Sequence, residues 1–374
     1  MTLAEIMKVF LHREGIDLYL TAESRPSMRV SEGIIPLSDE VLTHAQTEAL
    51  IEELVSPEAL AVFHAAREYN TAFVWQNKAR LRVNLYWQRC HPSAVIRRIN
   101  TRIPTLQDLN LPHVYGELVM EKRGLVLVVG QTGSGKSSSL AAMIGHRNAQ
   151  GGGHIVTVED PIEFIHDQGN CIISQRDVGI DTPSFESALK NALRQSPDVI
   201  MIGEIRDRET MEHAVSFAET GHLVVATLHA TNSSQAVERI LNFFPEEKHW
   251  QVLLNLSLNL RGILSQRLVH GHRGKRVLAT EILLNQGMIR TLIREGKVQE
   301  IRGYIEKASD IGMHSFDQSL LELCLNGELE EEAAIAESDS PANLRLLFKP
   351  HEMRRKLASL HELKPRANTP PGQQ

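Results

Sequence analysis

The residues whose types and spacing could do chemistry begin at Gly130, in the run GQTGSGKSS from Gly130 to Ser138. It fits G-x-x-x-x-G-K-[ST], a pattern whose glycines let the backbone turn tightly and aim successive N–H groups at phosphate oxygens. In that arrangement Gly130, Thr132, Gly133, Ser134, Gly135, Lys136, Ser137 and Ser138 form the candidate nucleotide-binding set. Lys136 would reach the β- and γ-phosphates, and the Ser137 hydroxyl would complete the coordination of Mg²⁺. Such a loop works only between a buried strand and a helix whose positive end faces the anion. The flanks comply: Leu125 to Val129 is an unbroken apolar run, and Ser138 to Arg147 is helix-forming. A solvated Gly/Ser turn would need neither flank.

Carboxylates come next along the chain. His154 to Val158 reads as a strand that delivers Glu159, Asp160 and Glu163 at its C-terminal end, where ligands sit in open α/β sheets. Asp198 to Ile202 is a second apolar strand, ending in Gly203-Glu204 where an Mg²⁺-holding aspartate is usual, so Glu204 is the candidate metal ligand with Ser137. Thr182 and Pro183 are expected to cap and open a helix over Ser184 to Arg194, and Arg206-Asp207 to open another that runs to Thr220. Leu223 to Thr227 reads as a buried strand flanked by His222 and His229, whose types alone leave structural and catalytic roles open. Strands alternating with helices imply an α/β fold with a mostly parallel sheet. The sequence pairs no nucleophile with a base and shows no zinc spacing, so the available chemistry is phosphoryl transfer from a Mg-nucleotide to water.

These elements need a chain long enough to hold them. At 374 residues two domains are expected, and 42% hydrophobic with 23% charged residues is an ordinary globular composition. No apolar run approaches the ~18 residues of a membrane span, and Met1 to Glu5 lacks the basic start of a secretion signal, so a cytosolic setting is expected. Cys90, Cys171 and Cys324 lie far apart and read as inert thiols. A formal charge of −6 argues against a nucleic-acid partner.

Residues 1–100 read as a separate, smaller α+β domain, with strand candidates at Asp17 to Thr21 and Ser27 to Val30 and helical spacing over Leu42 to Leu54. Over Arg80 to Tyr86 a period of two sets Arg80, Arg82 and Asn84 on one face and Leu81, Val83 and Leu85 on the other. By pattern alone the arginine face is a solvated one. Residues 101–115 read as a linker, 116–348 as the nucleotide-binding domain, and 349–374 as a basic stretch, Met353 to Leu357, followed by a disordered Pro/Gly/Gln-rich end.

Taken in order, GQTGSGKS, VEDPIEF (Val158 to Phe164), DVIMIGEIRD (Asp198 to Asp207) and TGHLVVATLHATN (Thr220 to Asn232) resemble the Walker A, Asp, Walker B and His boxes of bacterial secretion and pilus ATPases. Along nearly its whole length the chain resembles the type IV pilus retraction ATPases of the PilT/PilU kind. GMIRTLIREG (Gly287 to Gly296) is similar to the AIRNLIREG signature of PilT, whereas Leu193 to Asp198, His314 to Leu320 and Asp339 to Leu346 look more like PilU. The resemblance implies a RecA-like P-loop ATPase core with a PAS-like N-terminal domain, a homohexamer, and ATP with Mg²⁺ as cofactors. It further implies that Glu163 polarises the attacking water, that Glu204 serves Mg²⁺, that Arg80, Arg82 and Arg97 reach the phosphates, and that His222 and His229 sense or couple across the ring. The implied partners are a PilT-like paralogue and an inner-membrane platform protein, at the cytoplasmic base of the pilus machine. The alternative is an accessory, regulatory ring subunit acting with the paralogue. Two departures stand out: Tyr19 replaces the histidine common in the family's DLHL stretch, and Cys90-His91-Pro92 replaces a glycine-rich turn.

Overall fold

The first third of the chain is built on strands that alternate apolar and polar side chains, as a half-buried antiparallel sheet requires. They are β1 (Asp17–Leu20), β2 (Ser27–Val30), β3 (Gly33–Pro36), β4 (Glu68–Trp75), β5 (Ala79–Gln88) and β6 (His91–Ile99). Their order in the sheet is β3-β2-β1-β6-β5-β4, with every pairing antiparallel. Helices α1 (Leu3–His12), α2 (His44–Leu54) and α3 (Pro57–Ala66) share one core with this sheet, formed by Phe10, Leu18, Met28, Leu50, Phe63 and Val83 among others. Leu81, Val83 and Leu85 of β5 are fully buried in it, and Arg80, Arg82 and Asn84 lie half-buried on the opposite face. This computed structural model describes residues 1–30, 33–76, 79–99 and 102–349. The basic stretch Met353 to Leu357 and the end Pro365 to Gln374 lie outside the described residues.

The second sheet is made differently. Strands β7 (Gly124–Gly130), β10 (Val199–Ile202) and β11 (Leu223–Leu228) are buried at every position, so their sequences are runs of Val, Leu and Ile without alternation. With β8 (Gly153–Glu159), β9 (Cys171–Asp177), β12 (Leu260–His270) and β13 (Arg276–Leu284) they follow the order β13-β12-β7-β11-β10-β8-β9. The β7–β12, β8–β9, β8–β10 and β10–β11 pairs are parallel, and the β12–β13 hairpin is antiparallel at one edge. Helices α4 (Val114–Val119), α5 (Lys136–Gln150), α6 (Phe185–Ala192), α7 (Arg208–Glu219) and α8 (Ser233–Leu241) intervene. Helices α9 (His249–Asn259), α10 (Met288–Arg294), α11 (Ile301–Ile305), α12 (Phe316–Leu325) and α13 (Glu331–Glu337) follow, and residues 341–349 are helical as well. By compactness it divides into two units, 1–108 with 119–123 and 137–226, and 109–118 with 124–136 and 227 onward. Among the described residues no helix is long and apolar enough to cross a membrane. Cys90, Cys171 and Cys324 form no disulfide among the described residues.

Two helix starts differ from the pattern reading. Thr182 is not a cap, because its carbonyl accepts the Gly179 N–H at 2.7 Å in a tight loop bridged from Val178 to Thr182. The cap passes to Ser184, whose Oγ accepts the Ser187 N–H at 3.1 Å, and α6 opens at Phe185. Likewise Asp207 caps α7 by accepting the Thr210 N–H at 2.8 Å, so Arg206 stays outside the helix, with its side chain free to pair with acids. Ser184→Ala should therefore lower folding stability by about 1 kcal/mol in chemical denaturation, and Ser184→Asp should retain it.

Candidate functional site

The phosphate loop is delivered by β7, which runs parallel to β12 with Gly130 opposite Gln266. A Cβ at Gly130 would collide with Ser134 Oγ and stand 2.6 Å from the Gln266 carbonyl oxygen, so only glycine fits. Beyond it Gly133 (φ +80°) and Gly135 (φ +89°) take left-handed backbone, alternating with Ser134 so that consecutive N–H groups can turn to one side. Lys136, 8% exposed, folds back over the loop and donates from Nζ to the carbonyl oxygens of Gly130 and Gln131, both at 2.9 Å. Ser134 Oγ is buried and has no hydrogen-bond partner among the described residues. Helix α5 starts at Lys136, which puts Ser137 and Ser138 in its first turn.

The carboxylates of the β8 tip separate by environment. Glu159 is buried and accepts from Thr157 Oγ1 at 2.7 Å and from Gln175 Nε2 at 3.3 Å. Loss of water pushes its carboxyl up to about 7, with the charges of Asp177 and Glu163 adding in the same direction. Asp160 and Glu163 are exposed, and the Asp160–Pro161 peptide bond is cis. Glu204, just past β10, accepts from Arg206 Nε at 2.8 Å, and the same guanidinium gives Nη1 to Asp160 Oδ2 at 3.3 Å. Gly203 stands where a neighbouring acid is usual for a physical reason: a Cβ there would lie 3.2 Å from Glu159 Cα and 3.3 Å from the Val158 carbonyl oxygen. Among the described residues no group of three or more His, Cys, Asp or Glu side chains gathers as a metal site.

Arg82 of β5 stands directly opposite Arg97 of β6, and Arg80 opposite Ile99. The Nε of Arg80 is buried without a hydrogen-bond partner among the described residues. Arg97 donates from Nε to Asp17 Oδ1 at 2.7 Å and from Nη2 to Asp17 Oδ2 at 3.3 Å. This bond chiefly holds the guanidinium's proton, and the Glu163 carboxylate adds to the hold. Arg82 likewise lies near enough to Asp177 to favour its ionised form against burial. Arg97 and Glu163, and Arg82 and the Asp177 that closes β9, therefore act on one another. The histidines do not meet: they flank opposite ends of β11. His222 Nδ1 is held by Thr220 Oγ1 at 3.1 Å, while His229 lines a cleft with Gln131, Thr132, Thr231, Gln235 and Arg239.

Sequence pattern missed three polar residues of this region. Asp177 closes β9, a strand with the polar middle Ser174-Gln175-Arg176, and its Oδ2 accepts the Ile162 N–H at 3.4 Å. Gln175 bridges Glu159 to the Phe164 carbonyl. Asp17 sits in a four-residue strand too short to make its alternation count, although an acid in an apolar strand is a signal.

Residues 71–313 match the model of the family described as Type II/IV secretion system protein. The chain belongs to this family. It is 47% identical over 350 residues to the type IV pilus ATPase PilU of Pseudomonas aeruginosa, covering 93% of this chain and 92% of that one. To the type IV pilus retractation ATPase PilT of the same organism it is 37% identical over 343 residues, covering 92% and 100%. Among solved structures, the pilus retraction motor PilT with bound ADP superposes with a TM-score of 0.86 at 37% identity, over 92% of this chain and 99% of that one. The ATPase DotB of Legionella pneumophila gives 0.75 at 25% identity, over 90% and 97%. The seven-stranded sheet is thus a RecA-like ATPase core of the type II/IV secretion family, as the resemblance led us to expect.

The buried Glu159 of this core makes a signed prediction. Its folded carboxyl binds a proton more tightly than the unfolded value of 4.5, so its contribution is fully present below that pH and is lost as pH rises through about 7. Glu159→Gln keeps an acceptor oxygen for Thr157 and Gln175 and removes the loss. Its stability relative to wild type should rise between about pH 5 and about pH 8 in chemical denaturation at the two values.

Proposed function

We propose that this chain is an ATPase motor that powers or assists retraction of a type IV pilus, on the PilU side of the PilT/PilU group. The observation that carries the proposal is the phosphate loop: a glycine without room for a side chain at the end of a fully buried strand, two left-handed glycines, and Lys136 closing over the carbonyls of Gly130 and Gln131. The 47% identity to PilU, against 37% to PilT, supports the choice between the two.

In this reading the nucleotide phosphates take the N–H groups of Gly133 to Ser138, and Lys136 Nζ exchanges its carbonyl partners for β- and γ-oxygens. The donors on offer to a metal, the Ser137 hydroxyl and the Glu204 carboxylate, are hard oxygens that suit Mg²⁺, and their small number suits an ion that keeps most of its shell as water and phosphate. Bound there, Mg²⁺ would neutralise charge on the β- and γ-phosphates. Glu163, exposed beyond the end of β8, polarises the attacking water. Arg80, Arg82 and Arg97 offer positive charge to the equatorial oxygens, and the unpartnered Nε of Arg80 is a donor waiting for an acceptor. His222 and His229 couple neighbouring subunits of a homohexamer, in which residues 1–100 turn against 116–348 about the 101–115 linker. The ring works on the cytoplasmic side of the inner membrane, against a platform protein and beside a PilT-like paralogue.

Lys136→Ala and Glu163→Gln should each lower Mg-ATP hydrolysis by about a hundredfold or more while the thermal midpoint is retained. Light scattering with a non-hydrolysable ATP analogue should give six subunits. Full activity in either variant would remove the assigned chemistry. Turnover only after mixing with a PilT-like partner would favour the accessory reading.

A further inference from the structure

The arginine face of the N-terminal sheet contains an acid to which no role is assigned. Adjacent strands β5, β6, β1 and β2 place Arg82, Arg97, Asp17 and Arg29 directly opposite one another in a single cross-strand row. Residues so aligned share a face of the sheet, with Cβ atoms about 5 Å apart. The row holds three guanidiniums and one carboxylate, and the carboxylate is the buried member: the Asp17 side chain is 3% exposed, those of Arg97 and Arg29 59% and 47%.

Asp17 grips Arg97 side-on, through Nε and Nη2, a two-point contact that fixes the plane of the guanidinium as well as its position. Asp17 is itself held. Its Oδ2 takes the Tyr19 hydroxyl at 3.5 Å and stands 3.5 Å from Arg29 Nε, which in turn donates to the Tyr19 oxygen at 3.0 Å. Tyr19, the departure from the family's usual histidine, thus braces the acid from behind. An arginine more than half exposed would otherwise sample many rotamers, and aiming it costs entropy that a rigid partner removes in advance.

We infer that Asp17 is a positioning residue, which holds the guanidinium of Arg97 in the orientation that serves the nucleotide phosphates. The inference rests on the ATPase reading and on the role given there to Arg97. It opposes the simplest electrostatic expectation. Removing the Asp17 charge makes the row more positive, so attraction alone predicts tighter binding of an anionic nucleotide; a positioning role predicts poorer catalysis despite the added positive charge.

The test measures kcat and KM for Mg-ATP in the full-length wild type, Asp17→Asn, Arg97→Ala and the double variant. In Asp17→Asn, kcat/KM should fall about ten- to a hundredfold, the loss that follows from mis-aiming a charged group. In the Arg97→Ala background the same substitution should change nothing further, because a residue acting through another has no effect once that other is gone. Asp17→Glu keeps the charge but displaces it by one methylene; it preserves the ion pairing of the row and should still lose kcat/KM, which keeps the inference testable if Asp17→Asn does not fold. Unchanged or raised kcat/KM in a folded Asp17 variant, or losses that multiply in the double variant, would overturn it. A wild type without turnover would instead strike the ATPase reading itself, and an Arg97→Ala variant with wild-type kcat/KM would strike the role given to Arg97, so these failures are distinct.

Discussion

The rest of the structure depends on one steric constraint, the absence of space for a side chain at Gly130. Strand β7 is buried at every residue, and its last residue is pressed between Ser134 Oγ and the Gln266 carbonyl of the neighbouring strand. The close approach lets the chain reverse within a few residues and start α5 at Lys136, so backbone N–H groups and the helix's positive end are brought to one place. A buried parallel strand gives the loop a rigid root, and the left-handed glycines at 133 and 135 give it a curvature that other residues would resist. Lys136, 8% exposed, then stabilises the turned carbonyls of Gly130 and Gln131.

Charge is distributed around the strand tips by burial. Glu159, sealed among Thr157, Gln175 and the backbone beneath Gly203, is pushed toward its neutral form, while Glu163, four residues on, stands in solvent. Two acids of one short segment are thereby given different surroundings, one sealed from water and one open to it. Arg206 draws Glu204 and Asp160 together across the tips of two strands. On the N-terminal sheet the proportion is reversed, with guanidiniums in excess.

Much of this was legible in the sequence, for identifiable reasons. The loop, the β7, β10 and β11 runs and the arginine alternation of β5 are written in local pattern, because burial on two faces or one leaves an unmistakable period. Arg97 could be read only by resemblance, since nothing in Ala94 to Arg97 marks it out. Strand β9 and the β12–β13 hairpin escaped because polar residues interrupt them, Ser174-Gln175-Arg176 in one and Ser265-Gln266-Arg267 in the other. The cap at Ser184 escaped because Thr182 offers the same chemistry two residues earlier, and only the loop closed by Gly179 decides between them. In each case the deciding contact comes from outside the local repeat, where periodicity carries no information.

The polar interruption of β12 explains why a buried strand tolerates it. Ser265 Oγ contacts Ser233 Oγ and Glu281, and Glu281 Oε1 accepts the Ser233 N–H at 2.7 Å in the first turn of α8. Gln266 places its carbonyl against Gly130 and its side chain on the Tyr115 hydroxyl at 3.1 Å. Arg267 lies over the Phe316 ring at 4.0 Å, bonds the Glu337 carbonyl at 2.8 Å and the Asp339 carboxylate, and reaches the Thr231 carbonyl at 3.4 Å. Three consecutive residues thus fasten the start of α8, the root of the phosphate loop and the segment after α13, with the loop carrying His229 held between the first and the last. The Glu281 carboxylate and the Ser233 and Tyr115 hydroxyls among these partners lie in buried surroundings, where the polar side chains of β12 satisfy them. Apolar residues there would keep the backbone pairing with Gly130 but release the side-chain bonds to Ser233, Tyr115 and the segment after α13.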